Sequence, residues 1–430
     1  MVRLSSRSVF TPSGFPNHTY VQRDELHQER LLREWAAQSS QLASVSGPSK
    51  AGKTVLVQRV IGEVNLVTVS GATVRTADQL WERVLDWYGE PHSTSASSVA
   101  TQGETSTREL AGNLGVAGVG ASTRSSTAHA NSDVETTQVT VNRRGLPQVV
   151  AELANTQTTV LLDDFHYIPT AVQSEVAQQL KDAASRGVRI CVASVPHRAD
   201  DVVRALPELR GRVLSVDLDY WSRKDLLRIA QLGMPLLGLE IDQASLVMFS
   251  VEAAGSPQLM QTICLWAANH VGAHETCEPS RTITLDGTAR REILFLSSCV
   301  VDFRSLVRAL ISGPRVKPGD RRSYVHLDGR TGDVYLTVMR ALAMDPPRLA
   351  IPYSDLQDRL EALTKGASPD GASVINACTR IAQIAHGMAP ATGPALGWDE
   401  PTQTMVIHDP YLLFYLRWSV ILEREADALG

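Results

Sequence analysis

The sequence lacks the features that define several common protein classes. Its cysteines are few and scattered, at Cys191, Cys264, Cys277, Cys299 and Cys378. Their odd number and wide spacing fit neither a zinc site nor a secreted disulfide framework. The sequence also has no apolar N-terminal segment and no apolar run long enough to span a bilayer. We therefore expect a reduced, cytoplasmic protein without a membrane segment.

The sequence also has no large excess of charge of one sign, and it contains few lysines. The formal net charge is -5, with 20% charged and 43% hydrophobic residues, which is ordinary for a globular protein and indicates no polyanionic partner. The length of 430 residues exceeds the usual size of one core and predicts two or three domains. Lysine supplies only 6 of the 41 basic residues, and two of the six, Lys50 and Lys53, lie in one short segment.

That segment is a phosphate-binding motif. Residues 47–54 match G-x-x-x-x-G-K-[ST], follow the apolar strand pattern Leu42–Val45 and precede a helical pattern. Gly47 and Gly52 allow a tight turn that points backbone N–H groups and a helix N-terminus at phosphate oxygens. Lys53 is expected to reach the β- and γ-phosphates, and Thr54 to bind Mg²⁺. The predicted cofactors are ATP and Mg²⁺, and the predicted binding residues are Gly47, Pro48, Ser49, Lys50, Ala51, Gly52, Lys53 and Thr54.

A second element ends in two acidic residues. Residues 158–164 read Thr-Thr-Val-Leu-Leu-Asp-Asp, an apolar strand pattern of the kind that completes a P-loop site. Asp163 is predicted to hold Mg²⁺, and Asp164 to orient the attacking water where many ATPases use Glu. Because Asp is shorter than Glu, hydrolysis is expected to be slow or to depend on assembly. The alternative is an acidic strand-to-helix turn without a catalytic role.

Two further residues are candidates for contact with the phosphates. Ser194 lies near the end of the strand pattern at 189–195, where a γ-phosphate sensor is expected; a buried serine bonded to backbone is an equal alternative. Arg212 precedes the last predicted strand and is the first choice for an arginine finger across a subunit boundary, followed by Arg198 and Arg210. For each arginine taken alone, a solvated side chain is the competing interpretation.

Strand and helix patterns alternate in the first half of the chain, which predicts a parallel α/β sheet. The predicted strands are 42–46, 64–69, 158–163, 188–195 and 213–218, and the predicted helices are 24–38, 55–62, 77–88, 171–184 and 223–233. Residues 91–142 are rich in Ser, Thr, Ala and Gly and predict a mobile insertion, within which Val134–Val141 has the pattern of a hairpin strand.

The second half of the chain is predominantly helical. Gln243–Ala254 and Pro257–His270 predict a helical lid, with Ser256 as the N-cap of the second helix. The Gly-, Pro- and Arg-rich residues 313–332 predict a linker or extended loop. Helices at 334–344, 353–363 and 372–388, followed by strands at 396–398 and 404–407, have the order of a winged helix. The apolar residues 411–418 predict a core helix.

These motifs resemble those of prokaryotic AAA+/STAND-type P-loop ATPases. The resemblance rests on residues 47–54, on Leu-Leu-Asp-Asp at 161–164, on Pro-Glu-Leu-Arg-Gly-Arg at 207–212, on Gly-Ser-Pro at 255–257 and on Asp-Pro-Tyr-Leu-Leu-Phe at 409–414. It implies an α/β P-loop NTPase with a parallel sheet, a helical lid and a C-terminal winged helix. The implied domains are an N-terminal linker and helix (1–40), an ATPase core (41–220), a lid (221–310) and a winged-helix-like domain (311–430).

The resemblance also implies a mechanism. Bound ATP would bridge the core, the lid at Pro257 and the winged helix, and exchange or hydrolysis would change oligomerisation. Gln258 stands where many AAA+ members carry a sensor arginine, and this departure argues against a fast motor.

Three functions compete at this point. The first is a STAND-type signalling or antiviral-defence ATPase that forms homo-oligomers and acts with a separately encoded protein partner. The second is a DNA-associated AAA+ protein for replication initiation, helicase loading or transposition. It is not favoured, because the predicted recognition helix 372–388 carries only Arg380 as a full charge, whereas phosphate binding needs several. The third is a nucleotide-binding scaffold with little or no hydrolysis, since Asp164 and Gln258 leave turnover in doubt.

Overall fold

A five-stranded parallel sheet organises the first half of the chain in the computed structural model. Its strands lie in the order β2-β5-β6-β1-β7. Their bounds are β1 Leu42–Ser46, β2 Leu66–Ser70, β5 Thr159–Asp163, β6 Arg189–Ser194 and β7 Val213–Asp217. All five predicted strands are therefore present, and the prediction of an α/β P-loop fold is confirmed. The structure describes residues 3–23, 27–37, 42–89, 93–100, 135–142, 145–195, 213–314, 321–389 and 393–429.

Helices cover both faces of this sheet, as the continuous apolar strands require. One face buries Val67, Val160 and Leu162 against α4, α5 and α6, and the other buries Val45 and Leu161 against α2 and α3. The helix bounds are α2 Gln28–Ala37, α3 Lys53–Ile61, α4 Ala77–Trp87, α5 Leu146–Leu153 and α6 Thr170–Ser185. Because parallel strands end at one edge of the sheet, the loops after β1 and β5 lie at the same edge, with the end of β6 between them.

The predicted insertion contains a hairpin. Strand β3 (Ser93–Ala100) pairs antiparallel with β4 (Glu135–Asn142) over their full lengths. This confirms the hairpin strand that alternation indicated, and residues 101–134 lie outside the described part of the chain.

A second hydrophobic core follows the sheet. It is built by α7 (Arg223–Leu236), α8 (Gln243–Glu252), α9 (Pro257–His270) and α10 (Gly287–Ser298), with a short parallel pair of β8 (Leu239–Ile241) and β9 (Arg281–Ile283). We call this unit the lid. The sequence patterns did not indicate α10.

The beginning of the chain also packs into the lid. Helix α1 (Ser6–Val9) and the residues after it place Val9, Phe10 and Val21 in the lid core. A Cβ at Gly233 of α7 would lie 2.4 Å from the Phe10 ring, so glycine is what permits this close approach. The sequence had predicted only a linker for this segment, because contacts across more than 200 residues leave no local pattern.

The C-terminal part forms a third core around a small antiparallel sheet of order β12-β14-β13. Its elements are α11 Arg304–Ser312, α12 Val334–Leu342, β12 Ala350–Pro352, α13 Tyr353–Leu363, α14 Gly371–Gly387, β13 Leu396–Asp399 and β14 Thr404–Ile407. From α12 onward, the elements follow in the order helix, strand, helix, helix, strand, strand, which contains the three helices and two strands that were predicted and adds β12. The prediction of a linker at 313–332 is wrong in part, since β10 (Tyr324–Val325) and β11 (Thr331–Gly332) pair there, while 315–320 lies outside the described residues.

Helix α15 (Pro410–Trp418) joins the second and third cores, and α16 (Ile421–Leu429) follows it. In α15, Tyr411 and Phe414 pack into the lid core, whereas Leu412 and Leu413 pack into the C-terminal core. The prediction of a core helix is confirmed. No helix among the described residues combines the length and apolarity needed to cross a membrane.

Candidate nucleotide-binding site

The loop between β1 and α3 has the tight backbone that the phosphate motif predicts. A Cβ on Gly47 would lie 2.7 Å from Leu218 Cβ and 2.8 Å from its carbonyl oxygen, so only glycine fits there. Gly52 has a φ of 93° and stands immediately before α3, in the left-handed region that glycine adopts without strain. The first N–H groups of α3 therefore face the space above the loop, which is the geometry that binds anions.

Lys53 is folded back onto this loop. Its ammonium group donates hydrogen bonds to the carbonyl oxygens of Gly47 at 2.9 Å and Pro48 at 3.0 Å, and the residue is only 7% exposed. Burial lowers the pKa of Lys53, and the charges of Asp163 and Asp164 partly offset this effect. The Lys53 cation can pair with an anionic ligand, whereas the two carboxylates beside it require a cation such as Mg²⁺ before a phosphate can bind there.

Thr54 and Asp163 meet although they are 109 positions apart. The Thr54 hydroxyl donates to Asp163 Oδ2 at 2.6 Å, because α3 begins and β5 ends at the same edge of the sheet. A hydroxyl and a carboxylate are the oxygen ligands that Mg²⁺ prefers, with phosphate oxygens completing its shell. The residues present therefore fit the predicted metal.

Asp164 has an unusual backbone and an unusual acidity. Its φ of 57° lies in the left-handed region, and a Cβ on Gly71 would lie 2.4 Å from its carbonyl oxygen, so the loops after β2 and β5 are tightly packed. Burial, and then the charge of Asp163, raise the pKa of Asp164 to about 6, while Lys53 opposes the rise. A carboxyl that titrates near neutrality is suited to proton transfer.

The structure describes the predicted site residue Ser194 but not the predicted site residue Arg212. Ser194 ends β6, between the strands of Asp163 and the phosphate loop, as predicted. Its hydroxyl is buried without a hydrogen-bond partner in the described structure, so the expected backbone bond of a purely structural serine is missing. The residue that lines the cavity is its neighbour, Val195. Arg212 lies outside the described residues, together with the other finger candidates, Arg198 and Arg210.

A cavity of about 460 Å³ opens above the phosphate loop. Residues 49–56, Asp163 and Asp164 form one wall, and residues 11–16 and 19–21 form a second wall. Sequence reasoning missed this second wall completely. Its only local signal was a cluster of Pro, Gly and aromatic residues, which is equally typical of an exposed loop.

The lid closes a third side of the cavity. Pro257, the first residue of α9, lines it together with Gln258 and Gln261, and Ser256 caps the helix by accepting a hydrogen bond from the Leu259 N–H at 3.2 Å. The predicted cap is therefore present, and Pro257 lines the same cavity as the phosphate loop. Gln258 lies at the cavity wall, where it cannot supply the positive charge of a sensor arginine.

Trp221 ties the phosphate loop to the lid. Its indole N–H donates to the Ala51 carbonyl at 2.9 Å, and its backbone N–H donates to the Gly255 carbonyl at 3.0 Å. A Cβ on Gly255 would lie 2.7 Å from Tyr220 Cβ, which explains why glycine precedes Ser256 and Pro257. The guanidinium group of Arg23 lies 4.6 Å from the Trp221 ring centroid and covers it from the N-terminal side.

Lys50 links the phosphate loop to the C-terminal part of the chain. Its ammonium group lies 2.9 Å from both carboxylate oxygens of Asp409 and 4.2 Å from the centroid of the Tyr411 ring. Asp409 also caps α15 by accepting from the Tyr411 N–H at 2.9 Å. The Tyr411 hydroxyl is hydrogen-bonded to Thr262 of the lid at 2.9 Å. Core, lid and C-terminal part therefore meet at this one lysine.

Comparisons with known proteins give only distant likenesses. No protein-family model matches the sequence, and no curated protein matches it. Among solved structures, the chain is similar to Cdc6p from Pyrobaculum aerophilum, with 13% identity and a TM-score of 0.41 over 99% of this chain and 100% of that one. It is also similar to the ORC2 protein of Aeropyrum pernix, solved as ADPNP-ADP complexes, with 13% identity and a TM-score of 0.48 over 97% and 98%.

A Walker-type ATPase of Pyrococcus abyssi is a third such structure, with 14% identity and a TM-score of 0.48 over 93% of this chain and 96% of that one. Likenesses at this level do not place the chain in a family. The assignment of the site therefore rests on the residues and distances described above.

Proposed function

We propose that this protein is an ATP-binding switch of AAA+/STAND type that hydrolyses ATP slowly and couples its nucleotide state to assembly. The observation that carries the proposal is that one cavity of about 460 Å³ is lined together by the phosphate loop, the N-terminal segment and the lid. A ligand that fills it touches parts of the fold with separate hydrophobic cores. Its presence or absence therefore biases how those parts are arranged.

The proposed chemistry follows the positions of the polar groups. Lys53 and the N–H groups at the start of α3 would bind the phosphates, and Thr54 and Asp163 would hold Mg²⁺, which would supply positive charge to the phosphates. Asp164 is the proposed acceptor of the proton of the attacking water. Ser194 and Arg212 are proposed as a γ-phosphate sensor and as a finger supplied to a neighbouring subunit.

Lys50 is the proposed coupling element. Because it belongs to the phosphate loop and pairs with Asp409, bound phosphates compete with the Asp409 carboxylate for its charge. Asp409 begins α15, which packs into both the lid core and the C-terminal core. A change at Lys50 therefore reaches both parts through one helix. This supports a switch whose output is a rearrangement, such as homo-oligomerisation or engagement of a separately encoded protein partner in defence signalling.

Calorimetric titration with ATP, ADP and Mg²⁺, combined with a phosphate-release assay, tests the proposal. We expect ATP binding in the wild type, loss of binding in Lys53→Ala, and retained binding without turnover in Asp163→Asn and Asp164→Asn. A measurable rate of phosphate release that is equal in all four proteins would mean that the hydrolytic site is wrongly assigned. Binding without turnover in the wild type would favour the nucleotide-binding scaffold.

The mass of the protein in solution tests the coupling to assembly. We expect a larger species with ATP and Mg²⁺ than without nucleotide, and no such increase in Lys53→Ala. An unchanged mass in a wild type that binds ATP would remove assembly from the proposal while leaving the nucleotide site intact.

DNA association is the second candidate function, with the winged-helix-like elements as its binding surface. One observation argues against it. The helix α14 carries a single full charge, Arg380, which is exposed and bonded to Gln383 at 2.7 Å, whereas binding to DNA phosphates needs several. Retention on duplex DNA at low salt that falls as salt rises would favour this function. Absence of retention at low salt would exclude it.

A further inference from the structure

One buried side chain of the lid holds both ends of the N-terminal loop Thr11–Thr19. Gln261 is 5% exposed and lies in α9, one turn after Pro257. Its side-chain oxygen accepts from the Thr11 backbone N–H at 3.3 Å, and its side-chain nitrogen donates to Thr19 Oγ1 at 2.7 Å. Thr19 in turn donates to the Val9 carbonyl at 3.1 Å. The amide of Gln261 therefore closes the loop on the lid.

The rest of the loop's support also comes mainly from the lid. Val9 and Phe10 before it, and Val21 after it, belong to the lid core, so the two ends cannot move without disturbing buried side chains. Tyr20, the residue after the loop, contacts helices packed on the parallel sheet: its hydroxyl donates to Glu29 of α2 at 2.6 Å, and its ring lies 5.1 Å from the guanidinium group of Arg59 in α3. The shape of the loop is consequently set on the lid side of the cavity.

The two walls of the cavity differ in chemistry. The wall at residues 49–56 carries buried charge and free helix N–H groups, which suit phosphates. The wall at residues 11–16 and 19–21 carries Phe15 and Tyr20, whose rings are parallel within 11° at a centroid distance of 6.1 Å, and the apolar side chain of Ile229 also lines the cavity. Aromatic and aliphatic surface of this kind suits a flat heteroaromatic ring.

We propose that Gln261 is a positioning residue that shapes the loop Thr11–Thr19 into the wall that contacts the nucleotide base. The inference rests on the proposed function, since it requires that the cavity binds a nucleotide with its phosphates at Lys53. Gln261 acts through the loop, with both ends of its amide already bonded. Its loss therefore affects the base end of a ligand and leaves the phosphate end unchanged.

The test compares ADP, which has a base, with tripolyphosphate, which has none. Affinities for both are measured with Mg²⁺ on the full chain, by calorimetry for ADP and by competition for tripolyphosphate. Gln261→Met keeps the size of the side chain and removes both hydrogen bonds. We expect it to weaken ADP binding about tenfold, in line with the loss of one or two buried hydrogen bonds, and to leave tripolyphosphate binding within about twofold.

Ser6→Ala is the matched control. Ser6 Oγ donates to Asn269 at 2.9 Å, which also joins the N-terminal segment to α9, but neither residue lines the cavity. This variant should leave both affinities unchanged. If Gln261→Met folds poorly, Gln261→Glu keeps the acceptor for Thr11 and should give a smaller loss for ADP alone.

Three outcomes would overturn the inference. Equal weakening of ADP and tripolyphosphate would mean that Gln261 acts on the whole cavity. Unchanged ADP binding in both variants at Gln261 would mean that the loop does not contact the base. A wild type that binds tripolyphosphate as tightly as ADP would contradict the base-contacting wall while leaving the phosphate site intact, whereas a wild type that binds neither would contradict the proposed function itself.

Discussion

The two ends of the cavity are built in opposite ways. The phosphate end comes from eight consecutive residues, 47–54, and from the end of one neighbouring strand. The proposed base end comes from residues 11–21 and from Gln261. Gln261 is hydrogen-bonded to Thr11, 250 positions away in the sequence, and to Thr19, 242 positions away. The shape of the phosphate end is set by local backbone geometry, whereas the shape of the base end depends on packing in the lid core. A nucleotide that spans both ends is therefore held by the phosphate loop and by the lid side, and a mutation can weaken one of these contacts without the other.

The lid side also has a far stronger anchor than the phosphate side. Arg417 and Glu252 form a bidentate pair at 2.8 and 2.7 Å whose side chains are only 7% and 5% exposed. Lys50 and Asp409, at the other end of the same helix α15, are 26% and 23% exposed. Breaking a buried pair leaves a desolvated charge, whereas a partly solvated pair contributes little. One end of the helix is therefore held firmly, by Glu252 of the lid and by Ala343 and Asp345 of the C-terminal part, and the other end is only lightly attached to the phosphate loop.

The largest expected effect is at the lid anchor. Arg417→Met removes one partner and leaves the Glu252 charge buried, which should lower the free energy of unfolding by about 3–5 kcal/mol, measured by chemical denaturation. The double variant Arg417→Met with Glu252→Gln should recover part of this loss, because no unpaired charge is left. A single variant as stable as the wild type would contradict the strong anchor.

The next largest effect is expected for a variant that disrupts only the phosphate end of the cavity. Lys53→Ala removes the buried ammonium group, and we expect it to weaken ATP, ADP and tripolyphosphate by about a hundredfold or more, since charge-assisted hydrogen bonds to phosphate are lost. An equal loss of affinity for ligands with and without a base would distinguish the role of Lys53 from that of Gln261, whose loss should affect only ligands with a base. A loss confined to the nucleotides would show that the two ends are not distinct.

A smaller effect follows from the acidity of Asp164. Burial and Asp163 raise its pKa to about 6, so the carboxyl becomes protonated as pH falls through that value and can no longer accept a proton from water. We expect kcat/KM for ATP hydrolysis to fall about tenfold per pH unit below this pKa, with little change above pH 7. Asp164→Asn should be slow at every pH, and a profile without an inflection near 6 would argue against Asp164 as the base.

The smallest effect on stability is expected at the contact between Lys50 and Asp409. Lys50→Met removes the contact with Asp409, and we expect a loss of about 1 kcal/mol or less in the free energy of unfolding. The same variant should change how nucleotide alters the mass in solution, because the phosphate loop no longer contacts α15. A stability loss as large as that of Arg417→Met would reverse the comparison between the two ends of the helix.

The sequence predicted what is local and missed what is long-range. The strand at 42–46, the phosphate loop, the acidic strand end and the cap at Ser256 all follow from spacing and propensity within short windows, and the structure has each of them. Even the meeting of Thr54 with Asp163 was predictable, since parallel strands end at one edge of the sheet.

The missed features have a common physical cause. The residues around Phe10 and Gln261 belong together only because the N-terminal segment fills a hydrophobic gap in the lid. The contact of Lys50 with Asp409 depends on the position of α15 between two cores. Neither follows from the spacing of residues along the chain, because each joins segments whose separation no local rule fixes.

Hydrogen exchange with two ligands tests the central claim, that one nucleotide bridges both ends of the cavity, most directly. We predict that ATP with Mg²⁺ slows exchange of the backbone amides in residues 47–56 and in residues 11–21, while tripolyphosphate with Mg²⁺ slows only the first group. Protection of residues 47–56 alone by ATP would contradict the account.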